Sequence, residues 1–266
     1  MARRISVVKG HAYGNDFLLA PEADAQGHDP ATLARAMCSR HEGIGADGLM
    51  LYAFGESAIS MRLFNADGSP SAVSGNGIRC LAALAVRQCP GTTHITIDTP
   101  AGAKEMELRD AVGDVLTFRA AMGIPQNIRK ITLEAAGETV HAVSLSVGNP
   151  QCVLLDDPLI DARLHKLGPA LERHPQFPER TNVSFARVEA PNRVRILIWE
   201  RGVGPTQASG TGACGAAVAA ASFGGAARDV EIISPGGSQR VEWLEDGRIY
   251  LTGSARLVFE GTWFVP

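Results

Sequence analysis

The sequence predicts a strand-dominated fold built as two similar domains, each with a helix behind a glycine-rich turn. Three observations predict it. Short β-branched or alternating runs, bounded by Gly, Pro, Asp or Asn, recur along the whole chain. Four segments read as helices. One pattern, Ser-Gly-X-Gly running into an Ala-rich stretch, occurs twice, as SGNGIRC at 74–80 and SGTGAC at 209–214.

In chain order, the predicted strands begin with ISVVKG, where Ile5 and Val7 alternate with Ser6 and Lys9. DFLLA, GLMLYA, AISMRLF, HITIDT, KEMELR and VLTFRA complete the first half. HAVSLSV, CVLLD, TNVSFARVE, RVRILIWE, VEIISP, QRVEWL, RIYLTG and RLVFEG supply the second. The first helix opens in DPATLARAMCSR, with Asp29 as N-cap and Pro30 at the first helical position, where its fixed φ suits the helix. A second helix covers roughly 160–173, and the other two follow the Ser-Gly motifs.

The halves match one another. HAYGNDFLLA at 11–20 is similar to LSVGNPQCVLLD at 145–156, with the Gly-Asn pairs 134 positions apart. LFNADGSPSAVSGNG at 63–77 aligns without a gap to IWERGVGPTQASGTG at 198–212, an offset of 135. Pro70 falls on Pro205, Ser74 on Ser209 and Gly77 on Gly212. Two motifs at nearly one offset imply an internal duplication rather than a coincidence of turns. The expected domains are residues 1–116 and 117–253, with about 254–266 crossing back to complete the first sheet.

Composition narrows the class. A net charge of −3 without a Lys/Arg cluster argues against a nucleic-acid partner. The longest apolar run, in CGAAVAAASF, is too short and too Ala-rich to span a bilayer, and MARRISVVKGHA has no hydrophobic signal region. Five cysteines, an odd number with no CxxC pair, point to a reduced, cytoplasmic protein. No metal-ligand spacing occurs, so no metal is expected.

A duplicated helix start has chemical meaning. Glycines there let a ligand approach the backbone, and the N–H groups and dipole of the helix end favour an anion. Two such ends facing each other could hold a carboxylate and place one side chain on each side of a bound carbon. That arrangement suits removal of a proton from one face and its return to the other.

GHAYGNDF, GIGADGL, LFNADGS, SGNGIRC, VGNPQCV, TNVSFARV and WERGVGPTQASGTGA, in this order and over nearly the whole chain, resemble the motif set of the diaminopimelate epimerases. The resemblance implies an α+β fold of two pseudo-symmetric domains, each a mostly antiparallel sheet wrapped round a central helix, with the active site between them. It implies interconversion of LL- and meso-diaminopimelate on the route to lysine and peptidoglycan, without pyridoxal phosphate or metal. It also suggests a homodimer.

The resemblance assigns roles to residues. Ser74 and Ser209 stand where the family carries two catalytic cysteines. The pKa of an alcohol lies near that of water, about 7 units above that of a thiol, or roughly 10 kcal/mol. A serine pair is therefore expected to bind substrate but turn it over slowly, if at all. A natural variant and a double exchange of cysteine for serine made to trap a ligand would both read this way. Cys80 and Cys214 lie six and five positions beyond the serines, more than a turn into their helices, and read as buried helical cysteines. Gln151 stands where many relatives have a histidine, and as an amide it can orient but not accept a proton as a base. Glu200 keeps an acidic position, to polarise Ser209 or hold the substrate amine, against a surface ion pair with Arg201. The Gly75–Asn76 and Gly210–Thr211 amides would hold the α-carboxylate. Asn65, Asn182 and Arg201 would hold the distal amino-acid end, Arg201 gripping its carboxylate. Asn15 and Asn149 match further polar contacts. Asp47 and Asp67 read as turn and cap residues.

Overall fold

The computed structural model describes residues 4–155 and 159–265. Asp156, which ends the expected strand CVLLD, lies outside the described residues. The chain forms two compact units, Met1–Ala120 with Gly253–Pro266, and Ala121–Thr252. The fold is α+β and strand-rich.

In the first unit, β1 (Arg4–Ala12) and β2 (Asn15–Pro21) form an antiparallel pair, followed by α1 (Pro30–Cys38), β3 (Gly48–Phe54), β4 (Ile59–Asn65) and the two-residue β5 (Pro70–Ser71). Then come α2 (Gly75–Gln88), β6 (His94–Thr99), β7 (Gly102–Val112) and β8 (Val115–Gly123), the last running past the unit boundary. Most pairings are antiparallel; β2–β3 and β4–β6 are parallel. Asp29 caps α1 as expected, accepting from Thr32 N at 3.0 Å. Strand alternation sends side chains to two cores. Phe17, Leu19, Met50 and Leu63 pack on α2 with Leu81 and Leu84, while Leu18, Leu49 and Leu51 pack on Leu33 and Met37 of α1.

The second unit repeats this order. It contains β9 (Gln126–Ala135), β10 (Glu138–Ser146), β11 (Pro150–Leu155), α3 (Asp161–Glu172), β12 (Asn182–Ala190), β13 (Arg193–Glu200) and β14 (Gly204–Thr206). α4 (Gly210–Phe223), β15 (Asp229–Ser234), β16 (Gly237–Trp243) and β17 (Ile249–Phe264) follow. The register repeats too. The parallel pairs Phe17↔Gly48 and Ile59↔Ile97 reappear as Cys152↔Val183 and Val194↔Ile232, each shifted by 135. Ala213, Cys214, Ala216, Ala217, Val218, Ala219 and Ala220 of α4 are all buried, so this helix is covered on every side. Small side chains are what such cover permits: a Cβ on Gly215 would lie 3.0 Å from Gln151 Cγ.

Several elements depart from the sequence reading, among them the short strands β5 and β14, which were not expected. β9 was not expected either: Leu133 and Ala135 are buried and Ile128 and Ile131 partly so, but its first half, residues 126–130, is largely polar and exposed. Its partner β10 fixes it, through a two-residue turn with Ala136 and Gly137 both at positive φ. Conversely, RIYLTG and RLVFEG form one strand, β17, whose C-terminal part pairs with β1. Gly253 does not break it. A Cβ there would come within 3.1 Å of Tyr13 Oη, so the glycine serves close backbone approach rather than a turn.

Candidate active site

The glycines of the two Ser-Gly-X-Gly motifs lie within the first helical turn rather than ahead of it. Ser74 is the N-cap of α2 (φ −126°) and Ser209 that of α4 (φ −137°). Ser74 Oγ accepts from Gly77 N at 3.2 Å, and Ser209 Oγ accepts from Gly212 N at 3.3 Å. The first helical carbonyl bonds are Ile78 N to Ser74 O and Ala213 N to Ser209 O. The Gly75, Asn76, Gly210 and Thr211 amides precede those bonds and point out of the helix ends. At Gly75 the space a Cβ would take is open to 4 Å, while at Gly210 Leu251 stands 3.1 Å away.

In the first unit, a polar chain runs behind the helix start. Asp47 Oδ2 accepts from Asn15 Nδ2 at 2.7 Å, and Asn15 Oδ1 accepts from Asn76 Nδ2 at 3.2 Å. Asn76 Oδ1 accepts in turn from Arg79. Arg79 is 2% exposed and lies 5.7 Å from the Tyr13 ring centroid. Asp47 is more than the turn residue expected. It also accepts from Asp16 N and Arg40, and so fixes which way the Asn15 amide faces. Burial alone would raise the Asp16 carboxyl, but Arg40 and Lys9 bonded to it hold it below the ordinary range. Asn65 stands apart from this chain: it is exposed and donates to Ser69 Oγ at 2.9 Å, inside its own turn.

In the second unit, Ser209 Oγ donates to Glu200 Oε2 at 2.9 Å. Burial pushes the Glu200 carboxyl up, with the Thr206 and Ser209 hydroxyls pulling the other way. Glu200 therefore turns to the serine, while Arg201 Nη1 donates to the Glu179 carbonyl at 2.9 Å. Arg201 N donates to Asn182 Oδ1 at 2.8 Å, so buried Asn182 holds the backbone that carries Arg201. Gln151 is fully buried and orients Asn149, donating to its Oδ1 at 2.6 Å; Asn149 Nδ2 reaches Thr211 Oγ1 at 3.3 Å. Gln151 Oε1 is buried without a hydrogen-bond partner.

Cys80 and Cys214 match the sequence reading of buried helical cysteines. Both are fully buried, and burial pushes the Cys80 thiol up to about 12. The residues missed in the sequence, Asp47 and Arg79, sit inside recognised motifs (GADGL and SGNGIRC). The partner Asn15 of Asp47 lies 32 positions away, which the motif does not give, whereas Asn76, the partner of Arg79, lies one helical turn back in the same motif, and that i, i+3 spacing is the signal that could have found it.

Comparison with known proteins adds the family. A model of the family described as diaminopimelate epimerase matches residues 7–126 and 143–258. Among the relatives, a diaminopimelate epimerase of Desulforudis audaxviator is 41% identical, covering 96% of this chain and 98% of its own. One from Desulfovibrio desulfuricans is 36% identical with both chains covered in full. Solved structures share the fold at low identity. A predicted epimerase from Pseudomonas aeruginosa superposes with a TM-score of 0.74 at 15% identity, covering 98% of this chain and all of its own. A hydroxyproline epimerase of Agrobacterium vitis, with trans-4-hydroxy-L-proline bound, has a TM-score of 0.65 at 16% identity, covering 98% and 91%. With two stretches of the family matched along most of its length, and relatives of such identity and coverage, this chain belongs to the diaminopimelate epimerase family of isomerases.

Proposed function

We propose that this chain binds diaminopimelate and belongs to the route to lysine and peptidoglycan, interconverting the LL and meso forms by two-base proton transfer. The observation that carries the reading is the bond between Ser209 and Glu200 at the capped start of a buried helix. It places a hydroxyl between a carboxylate acceptor and a positive helix end, where a proton-handling group belongs. Ser74 takes the second proton-handling position, at the matching cap. The Gly75–Asn76 and Gly210–Thr211 amides hold the α-carboxylate and stabilise the enediolate-like state. Arg201, with Asn182 and Asn65, takes the distal end of the ligand. Asn15 and Asn149, oriented by Asp47 and Gln151, supply further polar contacts. The reading includes a cytoplasmic location, a homodimer and no cofactor. No helix among the described residues is long and apolar enough to cross a membrane.

Serine instead of cysteine weakens the chemistry more than the binding. The alcohol–thiol difference of roughly 10 kcal/mol exceeds the ~2 kcal/mol a helix end offers. The two serines favour a second reading, an amino-acid-binding homologue without turnover. One experiment separates the two. LL-diaminopimelate is incubated in deuterated water with the chain and with its Ser74→Cys/Ser209→Cys form, and α-proton exchange is followed by NMR. Exchange and epimerisation in the cysteine form support the epimerase site. Binding with silence from both forms supports the receptor, and absence of binding removes both.

A further inference from the structure

The last residue of α3, Glu172, is a carboxylate only 2% exposed. A carboxylate there opposes the helix dipole and is costly to bury, so the helix alone gives no reason for it. Its partners do. Oε2 accepts from Trp199 Nε1 at 2.8 Å, and Oε1 accepts from Gly202 N at 3.0 Å. Arg180 Nη1 lies 3.7 Å away. The two acceptor oxygens thus bracket Glu200 and Arg201, gripping the residue before them and the residue after them. α3 is shaped for this grip. A Cβ on Gly168 would lie 2.7 Å from the Trp199 ring, so the indole rests directly on the helix backbone.

The duplication supplies a control inside the same molecule. At the 135 offset, Glu172 aligns with Met37 of α1, a fully buried apolar residue packed with Leu33 and Leu49. The corresponding turn, Asn65–Ser69, is held to its helix by a different group: Arg35 Nη1 of α1 donates to the Asp67 carbonyl at 3.4 Å, and the Asp67 side chain accepts from Ser69 N at 2.8 Å. A helix-to-turn link thus occurs in both copies, but in the first it is one exposed bond to a carbonyl, whereas in the copy whose turn carries Glu200 and Arg201 a buried carboxylate bonds on both sides of that pair.

We propose that Glu172 is a positioning residue that sets the Glu200–Arg201 turn, and through it the preference for a ligand with a distal carboxylate. This rests on the reading of Arg201 as the carboxylate clamp. The test is calorimetric titration of the full chain with meso-diaminopimelate and with L-lysine, which lacks one carboxylate. The native chain binds diaminopimelate more tightly. Glu172→Gln keeps the size but cannot accept from both N–H groups. It weakens diaminopimelate binding about tenfold, the scale of one charge-assisted hydrogen bond, while lysine binding stays within about twofold. Trp199→Phe, which deletes the indole N–H and keeps a ring, shifts the ratio the same way and serves if Glu172→Gln does not fold. A lower Tm with an unchanged ligand ratio means a merely structural role and overturns the proposal. Equal binding of both ligands by the native chain instead overturns the Arg201 reading itself, and this inference with it.

Discussion

Ser209 donates to Glu200 at 2.9 Å, and the two copies of the chain differ here. The residue aligned with Glu200 is Asn65, which bonds Ser69 rather than Ser74. The duplicated scaffold therefore carries an asymmetric pair of caps, with a proton acceptor built beside one of them. An acceptor half-buried in that position has a cost as well as a use.

That cost gives a first prediction. Burial raises the folded pKa of Glu200 above its unfolded value. Such a group favours the folded state fully below the unfolded carboxylate pKa, about 4.3, and that contribution is lost as pH rises through the folded value. As pH rises above the unfolded value the native protein bears a growing penalty, and glutamine would not. Glu200→Gln is expected to raise Tm at pH 7–8, with the gain vanishing near pH 4. In the Ser74→Cys/Ser209→Cys background the same change slows α-proton exchange. A Tm gain that is equal at both pH values would show that the carboxylate is not penalised by burial.

Thiol reactivity tests the placement of the cysteines. Burial drives the thiols of Cys38, Cys80 and Cys152 to about 12. Cys214 is buried in α4, and Cys89 is exposed. Ellman's reagent at pH 8 is expected to label one thiol quickly in the native protein and five after denaturation. The Ser74→Cys/Ser209→Cys form should gain fast-reacting thiols at the helix starts. Fast labelling of Cys80 or Cys214 would reopen them as candidate acid–base groups.

The Asn15 amide depends on Asp47. Removing the acceptor in Asp47→Ala frees the amide to rotate and takes one partner from Arg40. Diaminopimelate affinity is expected to fall about threefold to tenfold, by the worth of one misplaced hydrogen bond, ~1 kcal/mol. Asp47→Asn, whose Oδ1 can still accept from Asn15, should recover most of it. Calorimetry on both variants checks this; equal loss in both would mean that the charge matters and the amide orientation does not.

How much of this was legible in the sequence follows physical lines. Local signals carried the elements: β-branched alternation marked HITIDT, found as β6, and Asp29–Pro30 marked the start of α1. The repeat of Ser-Gly-X-Gly marked both helix starts, because a capping serine and small first-turn residues are local requirements. β9 stayed hidden although Ile131, Leu133 and Ala135 alternate in it, because its first half, residues 126–130, is largely polar and only the pairing with β10 marks it as strand. Gly253 misled for a related reason: glycine signals a turn in one dimension and a close contact with Tyr13 in three. At the site, residues defined by type and motif position were readable, whereas Asp47 and Glu172 matter through side chains brought in from other elements. No spacing announces that Glu172 meets Trp199 and Gly202 across 27 and 30 positions.

Gly168 tests how tightly α3 is fitted to the turn it holds. An alanine Cβ at 2.7–2.8 Å from three atoms of the Trp199 ring cannot be accommodated without movement. The indole is constrained on its other contacts, by the edge of His165 at 5.9 Å between ring centroids and by its bond to Glu172. Either the ring moves and loses the Glu172 bond, or α3 moves away from β13. Gly168→Ala is therefore expected to cost about 1–3 kcal/mol, the usual penalty for overpacking a fitted contact. Because Trp199 leads directly into Glu200, diaminopimelate affinity should fall as well. Thermal unfolding and calorimetry on one sample measure both. A stable variant with unchanged binding would show that the indole has room to shift, and that α3 does not set the position of the turn.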